Sequence, residues 1–170
     1  ILVRLACFGL TLVRLDLRQE ASKHTEALDA ITRELGIGSY LSWNEQERVD
    51  FLVRELSGKR PLIPKDLAPT GVVKDVLDTF AAAAEQGTGS LGAYVISMAR
   101  APSDVLAVEL LQREMGVSPP VPVVPLFETR QDLEQAGDIV DRLLSIPWFA
   151  AHTGGRLEVM IGYSDSAKDA

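Results

Sequence analysis

Cysteine is nearly absent. The 170-residue chain holds one, Cys7, so no internal disulfide can form and the chain reads as one that works in a reducing, intracellular setting. Cys7 itself is expected to serve as a small buried apolar residue. No apolar run reaches the roughly 18 residues a membrane-spanning helix needs, and the amino end lacks the basic-then-apolar layout of a secretory signal. The expectation is a cytoplasmic protein with no membrane partner. A basic excess is missing too: 17 Lys and Arg face 24 Asp and Glu, for a net charge of −7, which works against non-specific attraction to nucleic acid or to an anionic membrane. An anionic ligand must then be held by local arginines and lysines, or by a metal. An initiating methionine is also lacking. The sequence opens inside the apolar run "ILVRLACFGLTLV" and closes just after a polar cluster. Both ends read as truncated, so residues 1–170 are expected to be part of a longer protein's domain.

What is present suits one globular domain, with 46% apolar and 24% charged residues. "TLVRLDLR", Thr11 to Arg18, alternates Val13, Leu15 and Leu17 with Arg14, Asp16 and Arg18, the pattern of a strand with one apolar and one charged face. From Glu20 to Leu35 the positions Ala27, Leu28, Ile31 and Leu35 recur at helical spacing and Gly36 offers a stop. A second helix is expected from about Asn44 to Leu56, with Val49, Leu52, Val53 and Leu56 on one face. "KRPLIPKDLAPT" carries three prolines and reads as a loop, and a third helix follows from about Val72 to Glu85. "GTGSLGA" lacks the Lys-Ser/Thr ending of a phosphate-binding loop and reads as a flexible lead into the apolar run "LGAYVISMA". Then come "PSDVLAVELLQREMG", a helix with a Ser-Asp start, the strand "VPVVPLFE", a helix from about Gln131 to Leu144, and the strand "LEVMIGYSD". Strands apolar on nearly every residue and separated by amphipathic helices indicate a parallel sheet buried on both faces, an α/β fold that is either a barrel or doubly wound.

In such folds ligands sit at the carboxyl ends of the strands. The four strands end in Arg18, in Ser97 and Met98, in Glu128, and in Asp165 with Lys168 just beyond. Two carboxylates and two cations at one end of a sheet could hold a divalent ion together with a phosphorylated or carboxylated anion, and oxygen ligands suit Mg²⁺ or Mn²⁺. Composition does not name the reaction.

Four stretches go further. "ACFGLTLVRLDLRQEASKHTEAL", "AYVISMARAPSDVLAVELL", "VVPLFETRQDLEQA" and "GGRLEVMIGYSDSAKDA" resemble, in order and at similar intervals, the catalytic stretch of phosphoenolpyruvate carboxylases. The resemblance implies a piece of a (β/α)₈ barrel of a longer, cytoplasmic, homotetrameric enzyme. It implies conversion of phosphoenolpyruvate and bicarbonate to oxaloacetate and phosphate with Mg²⁺ or Mn²⁺, a reaction that replenishes the tricarboxylic acid cycle. In the family scheme bicarbonate attacks the phosphoryl group, and CO₂ released from carboxyphosphate is captured by the enolate of pyruvate, whose charge the metal stabilises. Position by position, the resemblance assigns Glu128 in "LFET" and Asp165 in "GYSD" to the metal, Arg18 in "LDLRQE" to the substrate phosphate, and Lys168 in "SDSAKD" to the bicarbonate side. The family's catalytic histidine, its glycine- and arginine-rich loop and its inhibitor site have no counterpart in these 170 residues; His24 and His152 do not sit in the histidine's motif.

Plainer roles stand beside these. Glu128 or Asp165 could cap the helix that follows each. Arg18 could pair with Asp16 or Glu20. His24, read as lying on the polar side of its helix, is expected in solvent, and Val105, Leu106, Val108, Leu110 and Leu111 are expected in the core. Another metal-dependent barrel enzyme acting on phosphorylated or enolisable acids is the alternative function, and a non-catalytic interaction module is a third.

Overall fold

The alternation of apolar runs and amphipathic stretches builds one parallel sheet with helices in its crossovers, seen in a computed structural model that describes residues 1–8, 13–64 and 66–162. The strands are β1 (Leu15–Glu20), β2 (Leu91–Ser97), β3 (Val123–Phe127) and β4 (Met160–Ile161), lying side by side in chain order. Parallel neighbours require a long crossover. Between β1 and β2 run α2 (Ala21–Glu34), α3 (Glu45–Ser57) and α4 (Gly71–Gln86). Helix α5 (Pro102–Glu114) links β2 to β3, and α6 (Arg130–Leu144) with α7 (Pro147–Thr153) links β3 to β4. A short helix, α1 (Leu2–Phe8), comes first.

Because successive strand residues point to opposite faces, the sheet has two environments. Leu17, Tyr94, Ile96, Val123 and Phe127 face the helices and join the main core. Ala93, Val95, Val124 and Leu126 form a smaller cluster on the other face, with Met160 packed against it. Helix α5 is buried over most of its length, and its Val105, Leu106, Val108, Leu110 and Leu111 are fully enclosed. The register shifts between Leu15 and Leu17. There the Asp16 carboxylate accepts the Ala93 N–H at 2.9 Å. A Cβ on Gly92 would collide with Asp16 Oδ1, so glycine at this position lets the carboxylate approach.

Several expectations are corrected. Among the described residues the first strand runs Leu15–Glu20, past the expected end at Arg18 and without Val13 and Arg14, while Thr11 and Leu12 lie outside the described residues; Val13 and Leu15 are exposed, leaving Leu17 as the strand's apolar contact with the core. Helix α5 begins at Pro102, a residue suited to a first turn. The Asp104 carboxylate accepts the N–H groups of Arg100 and Ala101 ahead of it. Among the described residues the last strand is confined to Met160–Ile161. Cys7 is exposed, because residues 2–7 of α1 are all solvent-accessible instead of packing into the core. His24 is fully buried: positions 24, 27, 28 and 31 form the i, i+3, i+4, i+7 series that makes the apolar stripe of α2, so the periodicity that defines the helix also turns His24 inward. Helices α1 and α7 have no counterpart among the expected elements.

Candidate active site at the carboxyl edge of the sheet

With every strand parallel, Arg18, Ser97 and Glu128 emerge at one edge. Arg18 pairs in register with Val95, and Val95 with Val124, so Arg18 projects from the face opposite the helices. β1 and β3 are not neighbours; β2 separates them, and two strand spacings make about 10 Å. Two long side chains close that gap. Arg18 Nη2 donates to Glu128 Oε1 at 3.0 Å, passing over the end of β2. The Arg18 side chain is 55% exposed and that of Glu128 18%, so the pair adds at most about 1 kcal/mol to stability. Its interest is placement. Arg18 takes neither Asp16 nor Glu20 as its partner.

Glu128 does not cap α6. That task falls to Thr129, whose hydroxyl accepts the Asp132 N–H at 3.2 Å, and to Asp132, whose carboxylate accepts the Thr129 N–H at 3.1 Å. Burial alone would raise the Asp132 carboxyl, but hydrogen bonds from Thr129, the nearby Arg100 guanidinium and the Glu128 N–H hold it below the usual range. The cap therefore grips the backbone of Glu128 and leaves its side chain free for the edge. On the other side, the Gly162 N–H donates to Phe127 O at 2.8 Å. A Cβ on Gly162 would fall 2.8 Å from Glu128 Cγ and 3.2 Å from its Cα, so the glycine of "GYSD" lets the chain after β4 run flush against Glu128. Beside them, Met98 turns the chain after β2 with φ 57°, an uncommon conformation for a residue with a side chain. Asp165 and Lys168 lie outside the described residues, and among the described residues no group of three or more His, Cys, Asp or Glu is placed to hold a metal.

The family model described as phosphoenolpyruvate carboxylase matches residues 1–170. The chain belongs to the phosphoenolpyruvate carboxylase family. It is 58% identical to "Phosphoenolpyruvate carboxylase" of Marinomonas sp. (strain MWYL1) over 97% of its length, and 59% identical to "Phosphoenolpyruvate carboxylase 2" of Arabidopsis thaliana over 98%. With "Phosphoenolpyruvate carboxylase" of Escherichia coli O1:K1 / APEC it shares 54% over 98%. The chain spans 19%, 17% and 19% of the length of these three relatives.

Of the four residues singled out in the sequence, the structure brings Arg18 and Glu128 together. Sequence reasoning missed what holds them. The Thr-x-x-Asp spacing of 129–132 was legible as a capping box. The polar side chains behind Arg18, the buried His24 and Tyr94 and the half-buried Gln19, carried no signal beyond the helical period that turns His24 inward.

Proposed function

We propose that this chain is part of the catalytic (β/α)₈ barrel of an enzyme that carboxylates phosphoenolpyruvate with bicarbonate to give oxaloacetate and phosphate. The observation that carries the reading is the approach of Arg18 and Glu128 over the end of β2, in a chain whose family relatives bear that name. Strand order supports the barrel part, since four strands follow one another without the reversal of order that marks a doubly wound sheet.

Arg18 would bind the substrate phosphate. Its guanidinium carries five N–H donors, and Nη2 on Glu128 leaves other edges of the fork for phosphate oxygens. Glu128 is a hard oxygen donor set against Gly162, which stands three residues ahead of Asp165 in the sequence. A carboxylate of that kind fits Mg²⁺ or Mn²⁺, which hold few protein ligands and keep positions for substrate. Glu128 and Asp165 would hold the ion, and Lys168 would serve the bicarbonate side. When bound, the ion supplies positive charge for the negative charge that develops on the substrate. Similarity over 97–98% of the chain favours this reading over a different metal-dependent barrel enzyme.

The test is steady-state kinetics on the full-length protein. Arg18→Lys should raise KM for phosphoenolpyruvate by about tenfold or more, since an ammonium cannot reproduce a two-pronged contact worth roughly 1.5–3 kcal/mol. Glu128→Gln should raise the Mg²⁺ or Mn²⁺ concentration for half-activity and lower the maximal rate. Unchanged substrate dependence in the first and a wild-type metal curve in the second would refute the assignments.

A further inference from the structure

Behind the sheet edge, a line of polar groups runs from the buried His24 of α2 and Tyr94 of β2 to the half-buried Gln19 near the end of β1. His24 Nε2 lies 2.8 Å from the Tyr94 hydroxyl, Tyr94 donates to Gln19 Oε1 at 2.9 Å, and Gln19 Nε2 donates to Thr79 Oγ1 at 3.4 Å. The Thr79 hydroxyl in turn donates to the Asp75 carbonyl at 2.7 Å. We propose that His24, Tyr94 and Gln19 form a positioning chain for Arg18, in which His24 is held as the tautomer that carries its proton on Nε2; the proposal rests on the reading of Arg18 as the phosphate ligand.

Proton accounting gives the tautomer. A phenol has one proton, and Tyr94 uses it on Gln19 Oε1. The contact with His24 must therefore be filled by the imidazole, with an N–H on Nε2. Every later link then runs donor to acceptor: Tyr94 into the Gln19 carbonyl oxygen, the Gln19 amide into Thr79, Thr79 into a backbone carbonyl. His24 Nδ1 is buried with no partner among the described residues. A lone pair is tolerable there; an N–H would be stranded. Burial, aided by the charge of Lys23, lowers the His24 pKa to about 4, in keeping with a ring that takes no second proton.

The chain reaches Arg18 through the strand. Gln19 is drawn into the helix layer by Tyr94 and Thr79, and its carbonyl accepts the Ser97 hydroxyl at 3.4 Å. Alternation along β1 then sends Arg18 to the opposite face, over β2 towards Glu128. Phe80 stacks on Tyr94 with centroids 5.0 Å apart and ring planes 9° from parallel, which fixes the phenol. None of these side chains touches the edge where a substrate would sit. They act through the direction of Arg18.

The full-length protein provides the test. Tyr94→Phe removes one hydroxyl and keeps the ring. It should raise KM for phosphoenolpyruvate about three- to tenfold, the range for one lost hydrogen bond, with kcat changed far less. His24→Gln keeps an N–H near the Nε2 position and should stay close to the wild-type KM, whereas His24→Met should behave like Tyr94→Phe. Because the effect passes through Arg18, Tyr94→Phe combined with Arg18→Lys should be little worse than Arg18→Lys alone, a non-additivity that a merely structural role would not show. Thermal melts establish that each variant is folded, and Tyr94→Phe decides the matter if His24→Met is not. An elevated KM in Arg18→Lys beside a wild-type KM in Tyr94→Phe, or fully additive effects, would overturn the positioning chain. An unchanged KM in Arg18→Lys would instead remove the reading of Arg18 beneath it.

Discussion

Two buried titratable residues with opposite leanings shape the pH response of this segment. His24 falls from 6.5 to about 4 through burial, with Lys23 adding to the shift. Glu109 on α5 rises from 4.5 to about 7 through burial, with His152 Nε2 3.3 Å from its carboxylate. The unfolded chain holds the extra proton in the first case and the folded chain in the second. His24 therefore costs stability as pH falls from 6.5 towards 4, and Glu109 costs stability as pH rises from 4.5 to 7, each by about 3 kcal/mol at full extent, at 1.36 kcal/mol per unit of pKa. Where the windows overlap, the two slopes oppose each other. Melting of full-length variants relative to wild type should separate them between pH 8 and 5: the difference should move in favour of His24→Gln as pH falls, and in favour of Glu109→Gln as pH rises. Differences that stay flat across the range for both would show that neither group titrates as its burial implies.

At the scale of elements, the two capping boxes make a controlled comparison. Asn44 and Glu47 close the start of α3 by exchanging hydrogen bonds of 3.0 and 2.8 Å, as Thr129 and Asp132 close the start of α6. Asn44→Ala and Thr129→Ala should each cost about 1 kcal/mol, the usual worth of a cap. Only the α6 cap adjoins Glu128. On the proposed metal role of Glu128, Thr129→Ala should also raise the metal concentration for half-activity in the full-length protein, and Asn44→Ala should not; equal metal curves would separate the cap from the site. The elements themselves were largely legible, because strong period and stop signals agree: α2 spans Ala21–Glu34 against an expected 20–35, and α6 spans Arg130–Leu144 against 131–144. What the period could not give was α7, a single seven-residue stretch from Pro147 to Thr153 too short to show an amphipathic repeat. Nor could it give the joining of Arg18 to Glu128, which lie 110 residues apart and meet because parallel pairing through β2 brings their strand ends to one edge, where two long side chains span the gap. His24 was misplaced for a different reason: a polar residue type outweighed a position that the helical period marks as internal.

For the molecule as a whole, the sheet edges and α1 decide how these 170 residues behave by themselves. β1 and β4 are the outer strands of the described sheet, each with one neighbour, and such edges invite pairing with other chains. Ile1, Leu2 and Val3 are 75–104% exposed, Leu5 is 46% exposed, and Val13 and Leu15 lie open where β1 begins. Burying a Leu, Ile or Val side chain is worth about 1.5–3 kcal/mol, so the four on the amino-terminal segment offer a driving force of the same order as the roughly 8 kcal/mol behind a micromolar dimer. The isolated chain should accordingly self-associate, its mass by light scattering rising with concentration. Leu2→Lys with Leu5→Lys should reduce the rise, because the paired charges make burial of α1 unfavourable. It should also form no oxaloacetate, since Arg18 and Glu128 mark one part of a site that the proposed barrel would complete with other strands. A monomer at about 100 µM, well above the micromolar range set by that driving force, would show that the exposed faces do not stick. Measurable turnover by the isolated chain would show that the site needs no more than these residues.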